Sequence, residues 1–373
     1  MSFIQQLIQH LIVFRNTIRA NRYLDIGLKT VVVVLLVLVL YFDLSSNNHL
    51  GQVWVIFLQE LQGANLSLLI LAVVLMPFNW FAETEKWRQF VHRYEYMPRW
   101  RALMAVFTGV TFSLFTPNRV GEYGGRMLYV HPRNQWRAVV ANVVGNFCQF
   151  IVLLGMGLFG TIYIVGHFDI IDRRLSTLLI IAGSAALPLM FWVYYHFELV
   201  IDFVKKVKIV QPVLPLLRQL NLGVIRQFTK AERTSILFWA LLRFFIYATQ
   251  YFLLLRFFGI KTGIIGGYAG ISALFLLQTS IPLPPLAGLV ARGNLAVLLW
   301  AQFGANEVAA LAATFTLWVI NLVIPALIGT FSFFHVNISK SLGYETDTIN
   351  EHPENLNLPA HAVSVSVPDD STG

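Results

Sequence analysis

Long apolar runs broken by short charged segments set the pattern of this chain. One ends at about Phe42, having begun in the flank before Val31; others cover about 64–80, 138–165, 175–195, 236–258 and 308–334. Each, with its flanks, approaches or exceeds the ~20 residues that cross a hydrocarbon core, which predicts a span at each. Two further apolar runs are shorter. Residues 102–115 stop at Thr116-Pro117-Asn118-Arg119-Val120-Gly121-Glu122-Tyr123-Gly124-Gly125-Arg126. Residues 263–278 stop at Thr279-Ser280-Ile281-Pro282-Leu283-Pro284-Pro285-Leu286-Ala287-Gly288, and an apolar piece then runs to about Phe303. Proline and clustered glycines end helices and permit sharp turns. Both breaks therefore predict re-entrant hairpins, with Pro117, Gly121, Gly124 and Gly125 shaping the first and Pro282, Pro284 and Gly288 the second. Broken helices of this kind bring backbone groups and charges to one point in a membrane.

Charge orients these elements. The segment 43–63 holds Asp43 and Glu60 and no Lys or Arg, so it is expected as an outer loop. Lys86, Arg88, Arg93, Arg99 and Arg101 follow the second span, and Arg126, Arg133 and Arg137 follow the first break. The positive-inside rule puts both groups in the cytoplasm. Residues 197–233 carry seven basic residues, Lys205 to Arg233, and read as a cytoplasmic connector between halves at about 64–196 and 234–335. The first hairpin then lies at the inner face and the second at the outer face. Matching units in opposite orientation are an inverted repeat, with a binding site expected between them. Residues 1–23, with Phe3, Ile4, Leu7, Leu11 and Phe14 at helical spacing, predict an amphipathic cytoplasmic segment. Residues 336–373 predict a disordered acidic tail.

Composition narrows the class. The chain is 57% hydrophobic and 12% charged, with a mean hydropathy of +0.65, whereas a soluble domain carries about a quarter charged residues. The expected fold is an all-α polytopic integral membrane protein spanning 24–335. A β-barrel would show ~10-residue alternating segments. The net charge of +8 sits in short loops, so nucleic acid is not an expected partner. Cys148 is the only cysteine, which rules out an internal disulfide or a cysteine metal cluster. There is no glycine-rich phosphate loop with a lysine, no His-Glu-x-x-His and no Asp-x-Asp; His92 and His131 stand alone. No enzyme activity, cofactor or metal is expected.

Candidate chemistry centres on charges at membrane depth, which are costly unless they face protein, water or a charged ligand. Arg119 and Glu122 are three apart, and Glu122 and Arg126 four apart, so they can pair on a helical turn. They read either as a structural ion-pair cluster or as a headgroup site, where guanidinium forks hold phosphate and freed amides add donors. Asn79, Glu83, Lys86 and Trp87 share one helical face. They form either an interfacial belt with snorkelling ends or an inward face on which Glu83 or Lys86 meets the hairpin charges. Arg243 lies inside a span and needs a partner. Arg292 follows the second break, and both are expected to act toward the outer side. Asn142, Asn146, Gln149 and Asn321 are expected as interhelical hydrogen-bonding residues, and Gly155, Gly157 and Gly160 as close-packing positions.

Asn79…Glu83…Lys86-Trp87, followed by Pro117-Asn118-Arg119-Val120-Gly121-Glu122…Arg126, resembles the transmembrane, flippase-like region of the lysylphosphatidylglycerol synthetase family. This family is also known as the multiple peptide resistance factor and its stand-alone relatives. A later family motif, Pro-x-Pro-Gly-Gly-x-Gly-x-x-Glu, is similar to Pro282-Leu283-Pro284-Pro285-Leu286-Ala287-Gly288-Leu289-Val290-Ala291. Here both middle glycines are replaced and the acidic position is Ala291, beside Arg292, which hints at a different headgroup. The resemblance implies two paired halves that move a lipid between leaflets of the bacterial cytoplasmic membrane, with both termini inside. It does not imply lipid synthesis, because residues 336–373 stand where full-length relatives carry an aminoacyl-transferase domain. Expected partners are membrane phospholipids or glycolipids, with self-association left open. The alternatives are a non-transporting lipid-binding subunit of a separate lipid- or glycan-modifying enzyme, and, more weakly, an intramembrane enzyme.

Overall fold

A computed structural model of the protein describes residues 30, 34, 50–63, 65–114, 116, 119–168, 172–196, 228–280, 288–334 and 336. The segment 1–23, the first span to Phe42, connector residues 197–227, the tail beyond 336, and Pro117, Pro282 and Pro284 lie outside these. Among the described residues every regular element is helical and no strand occurs. Five helices are long and apolar enough to cross a membrane. The protein is an all-α polytopic membrane protein.

The expected outer loop holds a helix, α1 (Leu50–Leu61). Val53 is buried and Phe57 meets the rings of Phe257 and Phe258. The missing basic residues that marked this segment report its side of the membrane, not its conformation. Helix α2 (Leu66–Val91) runs past the expected end at Trp80, since nothing from Phe81 to Val91 breaks a helix and its Glu, Lys, Arg and Gln are good helix formers.

Next come α3 (Arg99–Ser113) and the short α4 (Gly121–Met127), which fold back on each other. The two backbones nearly touch: a Cβ on Gly125 would lie 2.7 Å from Gly109 Cα, and one on Gly121 would strike the Phe112 carbonyl. Helices α5 (Gln135–Phe168) and α6 (Arg173–Tyr195) follow. A capping box of Thr229 and Glu232 opens α7 (Lys230–Phe257). The second hairpin is α8 (Ile264–Thr279) and α9 (Gly288–Ala301).

The last span is α10 (Glu307–Trp318), a π turn (Val319–Val323) and α11 (Ile324–Phe334). Pro325 accounts for the π turn. It offers no N–H to the carbonyl of Asn321 and its ring crowds that carbonyl. The Ile324 amide donates to Val319 O, one residue further back than in an α-helix.

Packing between the halves is reciprocal. Helices α2 and α7 run antiparallel, with Gln250 reaching Ala72 O and Arg243 reaching Asn79. The first hairpin lies on the last span of the second half, where Gly329 rests against the Phe107 carbonyl. Thr111 Oγ1 donates to Ala326 O there at 2.8 Å. The second hairpin lies on α5 of the first half, where Gly157 and Gly160 rest on Leu276 and Ala269. Gly155 is only in ordinary contact with Leu187.

The hairpins open at opposite ends. At the base of the first, Arg99 pairs with Glu85, and the His131 amide donates to Glu95. Arg93 pairs with Glu232 at the same end. At the base of the second, Phe303 stacks edge-on to Phe168 at the far end of α5. Residues flanking the two breaks, Arg119 and Thr279, line one cavity.

Candidate functional site

Glu83 organises the centre. Asn79, Glu83 and Lys86 are each about 1% exposed, so this face of α2 is buried and is not a belt of snorkelling side chains. Glu83 meets three cations: Arg126 Nη2 at 2.8 Å, Lys86 Nζ at 2.7 Å, and Arg243 from α7. On the hairpin, Glu122 shares the same Arg126 Nη2 with Glu83, and Arg119 Nε lies 3.3 Å from Glu122 Oε2. Trp87 backs Arg126 and Trp80 backs Arg243, with the guanidinium carbon 5.8 and 5.2 Å from the ring centroids. Arg243 therefore belongs to the same cluster as Arg126 and does not stand apart toward an outer side.

A polar chain extends the cluster to the last span. Arg243 Nε donates to Asn79 Oδ1 at 3.3 Å, and Asn79 Nδ2 donates to Asn321 Oδ1 at 2.9 Å. Asn321 sits in the π turn. Asn146 reaches Tyr123 and Gln149 reaches Ala240 O, in keeping with interhelical roles. Asn142 Nδ2 has no hydrogen-bond partner among the described residues.

Beside this cluster lies a cavity of about 440 Å³. Its wall takes Arg119 and Glu122 from the first hairpin, and Gln278, Thr279 and Arg292 from the second. Arg243, Tyr247, Asn146, Gln149 and Asn321 complete the polar lining. Glu83, Lys86 and Arg126 stand behind the wall and hold its residues. Arg292 forms no ion pair with a carboxylate among the described residues. Of the hairpin glycines, Gly121 and Gly125 are required by close approach, Gly124 faces open space, and Gly288 is buried where α9 begins. No group of three or more His, Cys, Asp or Glu able to hold a metal occurs among the described residues.

Arg119 has a φ of 59°, the only positive φ at a non-glycine among the described residues. That region is disfavoured for side chains with a Cβ. The side chain is 39% exposed toward the cavity, so its pairing with Glu122 is worth little. Arg119→Gly is expected to raise stability by about 1 kcal/mol through relief of backbone strain, read as a higher thermal midpoint in detergent. A fall of similar size would mean that the ion pair outweighs the strain.

Several contributors were not singled out from sequence. Gly109 and Gly329 look like any small residue in an apolar run. The π turn had a signal, a proline four residues after a polar Asn321 inside a span.

Together these features define a class: a polytopic helical membrane protein in which two hairpins from opposite ends close on a charged cavity. A family model described as the lysylphosphatidylglycerol synthase TM region matches residues 26–329. The chain belongs to that family. No individually curated protein matches it.

Proposed function

We propose that this protein moves a phospholipid or lipid-linked headgroup between leaflets of the bacterial cytoplasmic membrane, with the cavity as headgroup site. One observation carries the reading: Arg119 and Glu122 of one hairpin and Gln278, Thr279 and Arg292 of the other, whose bases lie at opposite ends, line one cavity against a buried charge cluster. Buried charge serves function more often than stability, since the desolvation cost of an ion pair rivals its attraction. A headgroup crossing a bilayer must shed water, and preplaced charges and amides substitute for it. The reciprocal packing of the halves supports hairpins that dip into the membrane from opposite faces, as in inverted-repeat transporters. The basic groups around Arg93, Arg99 and Arg133 support a cytoplasmic placement for the base of the first hairpin. In this reading the chain is a transporter and not an enzyme.

The test is reconstitution in liposomes with fluorescent phospholipid and glycolipid analogues followed between leaflets. Wild type is expected to move them above the rate in empty liposomes. The double variant Glu122→Gln with Arg126→Gln removes a buried pair together, which tends to be mild for stability, and is expected to abolish movement while staying folded. Absence of movement by wild type across several headgroups would favour a lipid-binding partner subunit instead.

A further inference from the structure

The charges around the cavity do not balance. Arg119, Arg243 and Arg292 line it, and Arg126 and Lys86 stand behind them. Against these five cations there are two carboxylates, both already engaged. Glu83 holds Arg126, Lys86 and Arg243, while Glu122 holds Arg126 and Arg119. The breaks at 115–118 and 281–287 contain no acidic residue, so neither tip brings a missing counter-charge. Among the described residues an excess of three positive charges remains in a membrane-buried site, where uncompensated charge is unfavourable.

Donors are also left over. Arg126 Nε and Nη1, Arg119 Nε, Trp80 Nε1 and Trp318 Nε1 are buried with no hydrogen-bond partner among the described residues. Arg126 itself is 2% exposed. Buried polar groups are ordinarily satisfied, so the idle donors on the lining residues Trp80 and Trp318, beside the cationic Arg119 and Arg292, point to an acceptor that fills the cavity. Arg119 and Arg292 come from different hairpins, and both line the cavity. An anion between them would bridge the two guanidinium groups.

We infer that the cavity takes an amine-free phosphate group, a net-anionic headgroup or the free ion, gripped between Arg119 of the first hairpin and Arg292 of the second. The inference rests on the cavity being the headgroup site proposed above. Guanidinium groups pair with phosphate oxygens two at a time. An ammonium-bearing headgroup would find no carboxylate free to receive it, and would meet the excess of like charge.

The test uses the full-length protein in neutral detergent, with binding read by native mass spectrometry and by thermal shift. The probes are dihexanoyl phosphatidic acid, dihexanoyl phosphatidylglycerol, their phosphatidylcholine and phosphatidylethanolamine counterparts, and inorganic phosphate alone. The two anionic lipids are expected to bind at least about tenfold more tightly than the zwitterionic pair, the scale of one charge-assisted contact. Arg292→Gln and Arg119→Gly should each erase that preference. Equal binding of all four lipids, or a preference that both folded variants keep, would overturn the inference. Inorganic phosphate matching the lipids would assign the site to the free ion. Anion-selective binding without movement in liposomes would keep this inference and remove transport; movement blind to headgroup charge would do the reverse.

Discussion

Glu83→Gln is expected to cost about 3–5 kcal/mol of stability, because it strips the shared counter-charge from Arg126, Lys86 and Arg243 while leaving them buried. Glu122 still holds Arg126 after the change. Lys86 and Arg243 then have no carboxylate among the described residues. The readout is the thermal midpoint in detergent or the midpoint of denaturation by an anionic detergent. Lys86→Met added to Glu83→Gln should recover part of the loss, since it removes an unpaired cation while keeping the volume of the side chain. A Glu83→Gln protein as stable as wild type would show that Glu83 is not the hub its contacts describe.

Gly329→Val is the second large effect. A Cβ at Gly329 would collide with the Phe107 carbonyl and come within 2.6 Å of Thr111 Oγ1. The first hairpin would have to lift from the last span. Overpacking alone typically costs about 1–3 kcal/mol. The Thr108 contact to Gly329 O and the Thr111 bond to Ala326 O would be disturbed as well, at about 1 kcal/mol each. The expected outcome is a destabilised protein whose first hairpin becomes accessible to a thiol reagent at an introduced Ala105→Cys, a position wholly buried in the native fold. Gly124→Ala is the control. Its Cβ meets nothing within 4 Å, and alanine is the better helix former by about 1 kcal/mol, so that variant should be at least as stable as wild type. Equal behaviour of the two variants would remove close approach as the reason for Gly329.

What could be read from the chain followed the range of the physics involved. Arg119, Glu122 and Arg126 lie within one or two helical turns, so spacing alone brought them together. The spans and breaks were legible for the same reason, being local runs of one polarity. The pairing of Glu83 with Arg126 joins residues 43 apart and was readable only as one of two options. The pairing of Glu83 with Arg243 spans 160 residues. No charge count says which carboxylate a lone arginine in a span will meet, and so the partner that Arg243 needs was left unnamed. Helix α1 was missed because its segment was judged by its lack of lysine and arginine. The buried face of α2 was readable as a helical face but only as one of two options, because charge also marks a membrane boundary. Here it marks a packed interior.

The reciprocal seating of the hairpins carries a consequence for how the chain is made. Thr108 emerges 221 residues before Gly329, the backbone it will rest against. Until the last span is inserted, the first hairpin has no bed, and Arg126 and Glu122 have only α2, α3 and α5 beside their own helix. The second hairpin faces no such delay, because α5 is already in place when α8 arrives. The order of assembly therefore differs between the two hairpins. The interval between the first break and the final helix is when the protein depends most on insertion machinery, and a stalled or truncated chain lacking α11 presents quality-control proteases with an unseated charged hairpin.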